Sequence, residues 1–468
     1  MGRGCLLFII ALCFTMVECK REGRGMPATA SWWVTTGDRQ SLLERQEDLI
    51  FTNHLDSLPI IKIDTTQAFQ TMDGFGFTLT GGSAQQIMKL KQEARTQLLQ
   101  ELFSREGAGI GISYLRISIG SSDLNDHAFT YDDVPAGSQD MTLAHFQLTP
   151  DDRDVVPVLQ EIIKINKRIK ILGSPWSAPA WMKTNQSLKG GHLKEVYYEV
   201  YARYFTTYLK TMMKLGINLD AITIQNEPEN PNNNPSMEMT ADEQALFIRK
   251  YLGPYLKEAG LPTKILLFDH NCDHPEYPIR VLADTLAAQY VDGSAFHLYL
   301  GEIGALSKVH DQFPTKNLYF TEQWTSAKGS FAEDLKWHVK NLMIGAPKNW
   351  SKNVLEWNLA ADPEQKPFTP EGGCDRCLGA LTIGDSIVRN VSYFIIGHAS
   401  KFVPAGSVRV ASGEVMGLPS VAYVTPEKMK VLIVVNDGAT KREFNVGYPA
   451  NHVKASLLPG GVATFTFR

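Results

Sequence analysis

Ala221-Ile-Thr-Ile-Gln-Asn-Glu227-Pro228 is a short apolar run that closes on an acid and a proline. Isoleucine and threonine favour extended backbone, and a proline cannot continue a central ladder, so the run reads as a strand that stops at Glu227. Leu318-Tyr-Phe-Thr-Glu322 stops in the same manner. Working outward from these two, β-rich runs fall at residues 75–80, 113–119, 169–174, 221–225, 265–269, 295–299, 318–321 and 354–358. Amphipathic stretches separate them, at 84–104, 151–166, 195–215, 241–259, 278–289 and 332–345. Strands alternating with helices are the sequence form of parallel βα units, and eight of them predict a closed (β/α)8 TIM barrel in an α/β fold. Thr149-Pro-Asp-Asp and Thr240-Ala-Asp-Glu243 read as helix starts, the second as a capping box.

Past residue 400 the helical pattern ends and strand-like pieces follow at 408–410, 421–425, 431–435, 443–446 and 463–467, with turns at Asn436-Asp-Gly438 and Pro459-Gly-Gly461. These predict a side β-sandwich formed mainly by the C-terminus. Ser31-Trp-Trp-Val-Thr35 and the apolar residues 60–63 precede the barrel and are expected to add strands to it. The expected division is a signal at 1–19, a linker at 20–30, N-terminal strands at 31–73, the barrel at 74–400 and the sandwich at 401–468.

Charged residues make up 21% of the 468 and hydrophobic ones 44%, the composition of a globular protein with a large core. The formal charge of -4 offers no field for nucleic acid, which is not expected as a partner. A basic start followed by the apolar residues 5–17 reads as an export signal. The protein is expected to be exported, as a secreted, periplasmic or cell-surface protein, and Cys19 is an alternative point of lipid anchoring. Of six cysteines, Cys272, Cys374 and Cys377 lie in the body. Cys374-Asp-Arg-Cys377 could be a local disulfide, half a zinc site or a redox pair, and export favours the disulfide.

In a barrel of this kind the C-terminal ends of the strands carry the chemistry. The unusual residues fall there: Trp176 and Trp181 after the third run, Asn226 and Glu227 after the fourth, His297 and Tyr299 on the sixth, Glu322 and Trp324 after the seventh, and Trp357 on the eighth. Taken singly, Glu227 and Glu322 could each be a solvated loop start, and each tryptophan could be core. Together the two glutamates end strands four and seven, which face each other across a barrel mouth. A facing carboxyl pair is what glycosidic cleavage requires, one group to protonate the leaving oxygen and one to attack or activate water. Arg116 could hold a carboxylate or form a structural ion pair, and Asp123 could bind sugar hydroxyls. The polar cluster Asp269-His-Asn-Cys-Asp-His274 lacks a ligand spacing such as HExxH and reads as a solvated loop, so no metal is expected. No GxSxG elbow, Walker loop or dinucleotide fingerprint occurs in a fitting context.

These residues resemble glycoside hydrolase family 30, which includes the acid β-glucosidases that cleave glucosylceramide. The resemblance rests on Gly74-Phe-Gly76 with Thr78 and Thr80, Arg116 through Asp123, Ser174-Pro-Trp176 with Trp181-Met-Lys-Thr-Asn185, Asn226-Glu227-Pro228, His297 with Tyr299, Thr321-Glu322, Trp357-Asn358-Leu-Ala360 and Gly397-His-Ala-Ser-Lys-Phe402. It implies retention by double displacement without a cofactor, with Glu227 as acid/base and Glu322 as nucleophile. It also implies that Asp123, Trp176, Asn226, His297, Tyr299 and Trp357 serve substrate, Tyr299 by supporting Glu322. The implied substrate is a β-glucoside, a glucan or a glycolipid. Thr80-Gly-Gly-Ser-Ala84, Gln323-Trp-Thr-Ser326 and the two-cysteine loop depart from the lysosomal pattern and look closer to bacterial members, some of which act on β-1,6-glucan. A β-xylosidase or β-fucosidase would share the pair. An inactive sugar-binding barrel and a surface adhesion protein are the non-enzymatic alternatives.

Overall fold

A computed structural model describes residues 1–2, 29–54, 56–448 and 450–468. The export signal, Cys19 and most of the expected linker lie outside the described residues.

The eight runs all become strands: β1 (Gly74–Thr78), β2 (Tyr114–Ser118), β3 (Lys170–Ser174), β4 (Ala221–Thr223), β5 (Lys264–Cys272), β6 (Val291–Gly301), β7 (Asn317–Glu322) and β8 (Ser351–Asn358). They pair in parallel and close into a barrel, with β8 against β1 and β5 against β6. Successive residues of a strand face opposite sides of its sheet. One side here supplies an apolar plug across the barrel's interior, made of Tyr114, Leu172, Ala221, Leu266, Ala295, Tyr319 and Leu355. Two residues further along, the same inward face becomes polar, at Arg116, Ser174, Thr223, His297 and Thr321, or aromatic, at Trp357. The floor of the site is therefore fixed by the period of the strands.

β5 breaks that period. Two residues after Leu266 comes Phe268, but Phe268 and Asp269 have φ of 72° and 62°, and the pairing with β6 slips between Ala295↔Phe268 and Phe296↔His270. The extra residue is a bulge that re-aims the strand by one position and turns Asp269 into the barrel.

The helices match the amphipathic stretches but are interrupted. The stretch at 84–104 divides into Gly81–Lys89 and Gln92–Phe103. Those at 241–259 and 332–345 each contain a widened π turn, Ile248–Leu252 and Val339–Gly345, just ahead of Pro254 and Pro347. A proline has no N–H to donate and crowds the carbonyl four residues back, and the wider turn relieves both. The capping box at Thr240 and Glu243 is formed. The start expected at Thr149 is a short 3-10 turn, with the helix proper, Val155–Ile165, capped by Asp154.

The sandwich gathers Thr29–Thr35, Ile60–Thr71, Val408–Ser412, Ser420–Val424, Lys430–Val435, Arg442–Tyr448, Asn451–Leu457 and Val462–Phe467 around a core that includes Ile61, Leu432, Phe444 and Phe465. Its first strand begins at Thr29, inside the stretch read as a linker. Asn451–Leu457 was missed in the sequence because Lys454 and Ser456 dilute its apolar alternation. Helix Val391–Ser400 is buried along its whole length between barrel and sandwich, and His398 bonds Thr35 and Thr464 at 2.8 and 2.9 Å. Among the described residues no helix is long and apolar enough to cross a membrane.

Candidate active site

Arg116, at the polar level of β2, has no exposed surface. A buried guanidinium is tolerable only where acceptors compensate it. It donates to Asp269 at 2.7 Å, to Asn226 Oδ1 at 2.6 Å, to Ser174 at 3.3 Å and to Glu322 Oε2. Asp269 in turn accepts from Thr321 at 2.6 Å, from Thr223 at 2.8 Å and from Ser174 at 2.7 Å. Of the cluster Asp269–His274 only Asp273 and His274 are exposed: β5 continues to Cys272, and Asp269 is held charged well below the usual carboxylate range because Arg116, His297 and Thr321 outweigh its burial.

Glu322 closes β7, with Oε2 on Arg116 and Oε1 accepting from the Tyr299 hydroxyl at 2.9 Å. Glu227 follows β4 in a left-handed conformation, φ 46°, and its N–H donates to the carbonyl of the bulged Asp269. Its Oε2 accepts from Asn230 at 2.8 Å and Asn233 at 2.9 Å, and its Oε1 lies 3.2 Å from His297 Nδ1. One carboxylate oxygen of Glu227 and one of Glu322 lie within 4.8 Å of each other.

His297 has no exposed surface, and its Nε2 meets Asp269 at 3.1 Å, so both ring nitrogens are taken by carboxylates. It stands behind the glutamates and does not reach the cleft where substrate would bind. Burial would lower its pKa, but Glu322, Asp269 and Glu227 push it up to about 9. Burial likewise favours neutral Glu227, yet the His297 ring and Asn230 bring it down to about 2. Glu322 is raised, by burial first, with His297 and Arg116 offsetting part of that. Asp123 is pushed up to about 8 by burial and by the two glutamates.

The cleft, about 380 Å³, is lined by both glutamates, Asp123, Trp176, Asn230, Asn233, Tyr299, Trp324, Trp357 and the bonded pair Cys374–Cys377. Trp176 and Trp357 pack at 5.5 Å between ring centres, and Arg116 sits 4.7 Å from the Trp176 ring. Asn226 lies beneath, its oxygen turned to Arg116. Trp181 is elsewhere: its ring nitrogen donates to the Asp132 carbonyl at 3.0 Å and its ring meets Tyr197 in a T-shaped contact. Asp269, Asn230 and Asn233 were not singled out in the sequence as site residues. The asparagine-rich run 230–234 directly after Glu227 was the available signal.

Comparison with known proteins places this geometry. Residues 72–403 match the glycosyl hydrolase family 30 TIM-barrel domain, and residues 406–465 match that family's beta sandwich domain. The chain belongs to glycosyl hydrolase family 30. It is 32% identical over 431 residues to the endo-1,6-beta-D-glucanase BGN16.3 of Trichoderma harzianum, covering 85% of this chain and 86% of that protein. It is 28% identical over 439 residues to the lysosomal acid glucosylceramidase of Mus musculus, covering 87% and 83%. A solved endo-beta1,6-glucanase superposes with a TM-score of 0.86 at 31% identity, covering 94% of this chain and 99% of its own. This family 30 chain is a β-glycoside hydrolase.

Proposed function

We propose that the chain hydrolyses β-1,6-linked glucan with retention of configuration, Glu322 attacking the anomeric carbon and Glu227 serving as acid and then base. The observation that carries the mechanism is that one oxygen of Glu227 and one of Glu322 lie within 4.8 Å of each other, with Glu322 fixed by Arg116 and Tyr299. Retaining enzymes hold their carboxyl groups about 5–5.5 Å apart, whereas inverting ones leave about 6.5–9.5 Å for a water.

Glu322 is aimed by Arg116 and Tyr299, which hold one oxygen each. The acid's proton has a place to rest. With His297 protonated and Glu227 ionised, the proton lies on Nδ1, one 3.2 Å hydrogen bond away from Oε1. Transfer along that bond gives neutral Glu227 as the glycosidic oxygen gains charge. Once Glu322 is esterified its charge is gone, and Glu227 can take a proton from water. Asp123, neutral below about 8, can donate to a sugar hydroxyl, and Trp176 and Trp357 supply an apolar wall.

Likeness to two endo-1,6-glucanases at 31–32% identity, against 28% for the mouse glucosylceramidase, favours the glucan over the glycolipid. Export, expected from the N-terminal run, would suit a polymeric substrate. Product release from β-1,6-glucan and from glucosylceramide, measured side by side with Glu322→Gln as the blank, tests the choice. Oligosaccharides from the glucan support it, and ceramide release alone refutes it.

A further inference from the structure

The loop between β2 and Val155–Ile165 holds a second group of ionisable side chains, away from the cleft. Asp132 has no exposed surface, and neither of its carboxylate oxygens accepts a hydrogen bond from any described residue. Beside it stand Asp140, also buried, and His145, whose side chain is 69% exposed. One potential ligand atom from each of the three lies within 4.8 Å of the other two. Asp140 is oriented by its own loop: Oδ2 accepts from the His145 backbone at 2.7 Å and meets the His145 ring at 2.8 Å, while Oδ1 accepts from the backbone and hydroxyl of Thr142 at 3.1 and 3.0 Å.

A buried carboxyl without donors, next to a second carboxyl, is costly unless something positive or a proton lies between them. We propose that Asp132, Asp140 and His145 form a binding site for a zinc-class divalent ion that fastens this loop. Two carboxylate oxygens and one imidazole nitrogen are a donor set suited to such an ion, and the exposed side of His145 leaves room for water as a further ligand.

The site lies where it can steady the substrate cleft without touching it. The Asp132 carbonyl accepts from Trp181, on the segment that also carries Trp176. Phe129, three residues before Asp132, exchanges hydrogen bonds with Ser121, two residues before Asp123. An ion here would steady the loop that presents Asp123 and whose Asp132 carbonyl holds Trp181, and its first effect would be on stability.

The test is calorimetric titration of the chelator-stripped full chain with zinc chloride, paired with thermal unfolding. The wild type should bind one equivalent at this loop and unfold at a temperature that rises with zinc concentration. His145→Ala, a change at an exposed ring, should weaken binding by about tenfold or more, and Asp132→Asn should abolish it. Glu322→Gln should leave it intact, which separates this site from the Glu227, His297 and Glu322 group. No zinc response in the wild type, or an equal response in His145→Ala, overturns the proposal and leaves a proton shared by the two carboxyls. Loss confined to Glu322→Gln overturns it as well.

Discussion

His297 Nδ1 lies 3.2 Å from Glu227 Oε1. Glu227 follows β4 and His297 stands on β6, so the bond spans the bulged β5 between them. On the proposed mechanism this pair holds the proton that catalysis needs, resting on His297. Glu322 must be ionised, and its raised pKa puts the acid limb of the pH profile above the ordinary carboxylate value. The His297 pKa is raised to about 9, so its proton is present below that pH and lost above it, which sets the alkaline limb. In His297→Gln the proton must reside on Glu227 itself, whose pKa rises without the imidazolium and then sets the alkaline limb. Glu322 rises further for the same reason. The profile of kcat/KM should narrow from both sides and its maximum fall about 100-fold. An unchanged profile would refute the proton store.

Tyr299→Phe removes a single 2.9 Å hydrogen bond to Glu322 and no carbon atom. A bond to a charged group contributes about 1.5–3 kcal/mol, so kcat/KM should drop about tenfold to a hundredfold with the unfolding midpoint held. Steady-state kinetics beside a thermal melt would show whether the two separate.

Much of this is legible in the sequence. Glu227 and Glu322 stood out because an acid ending an apolar run is expensive, and the eight-run period placed them on facing strands. Asp269 was lost for the opposite reason. A bulge inserts one residue without changing composition, so a strand that turns its acid inward reads like one that has already ended in a polar loop. The π turns were hidden because an amphipathic pattern survives one extra residue in a turn.

Arg116→Met should be among the most damaging single changes outside the glutamates. It leaves Asp269 buried with fewer compensating donors and frees Glu322 Oε2. Breaking a buried pair in this way costs about 3–5 kcal/mol, readable as a lower urea midpoint with unchanged slope. A midpoint equal to the wild type's would mean Asp269 is neutral in the fold.

Cys374 and Cys377 are bonded on the wall of the cleft, packed with Leu124, Trp176 and Trp357. The loop they close is short, and chain entropy assigns the bond about 2 kcal/mol. The paired Cys374→Ser, Cys377→Ser variant should raise KM for β-1,6-gluco-oligosaccharides severalfold while kcat changes little. A loss in kcat alone would place the loop's role in the chemistry instead.

Retention rests on the short distance between an oxygen of Glu227 and one of Glu322. Proton NMR of the first sugar released from a β-1,6-linked gluco-oligosaccharide, recorded before mutarotation, reads the anomer directly. Retention predicts the β-anomer first, with Glu322→Gln releasing none. The α-anomer first would mean a water enters between the carboxylates, and the double-displacement assignment would fall.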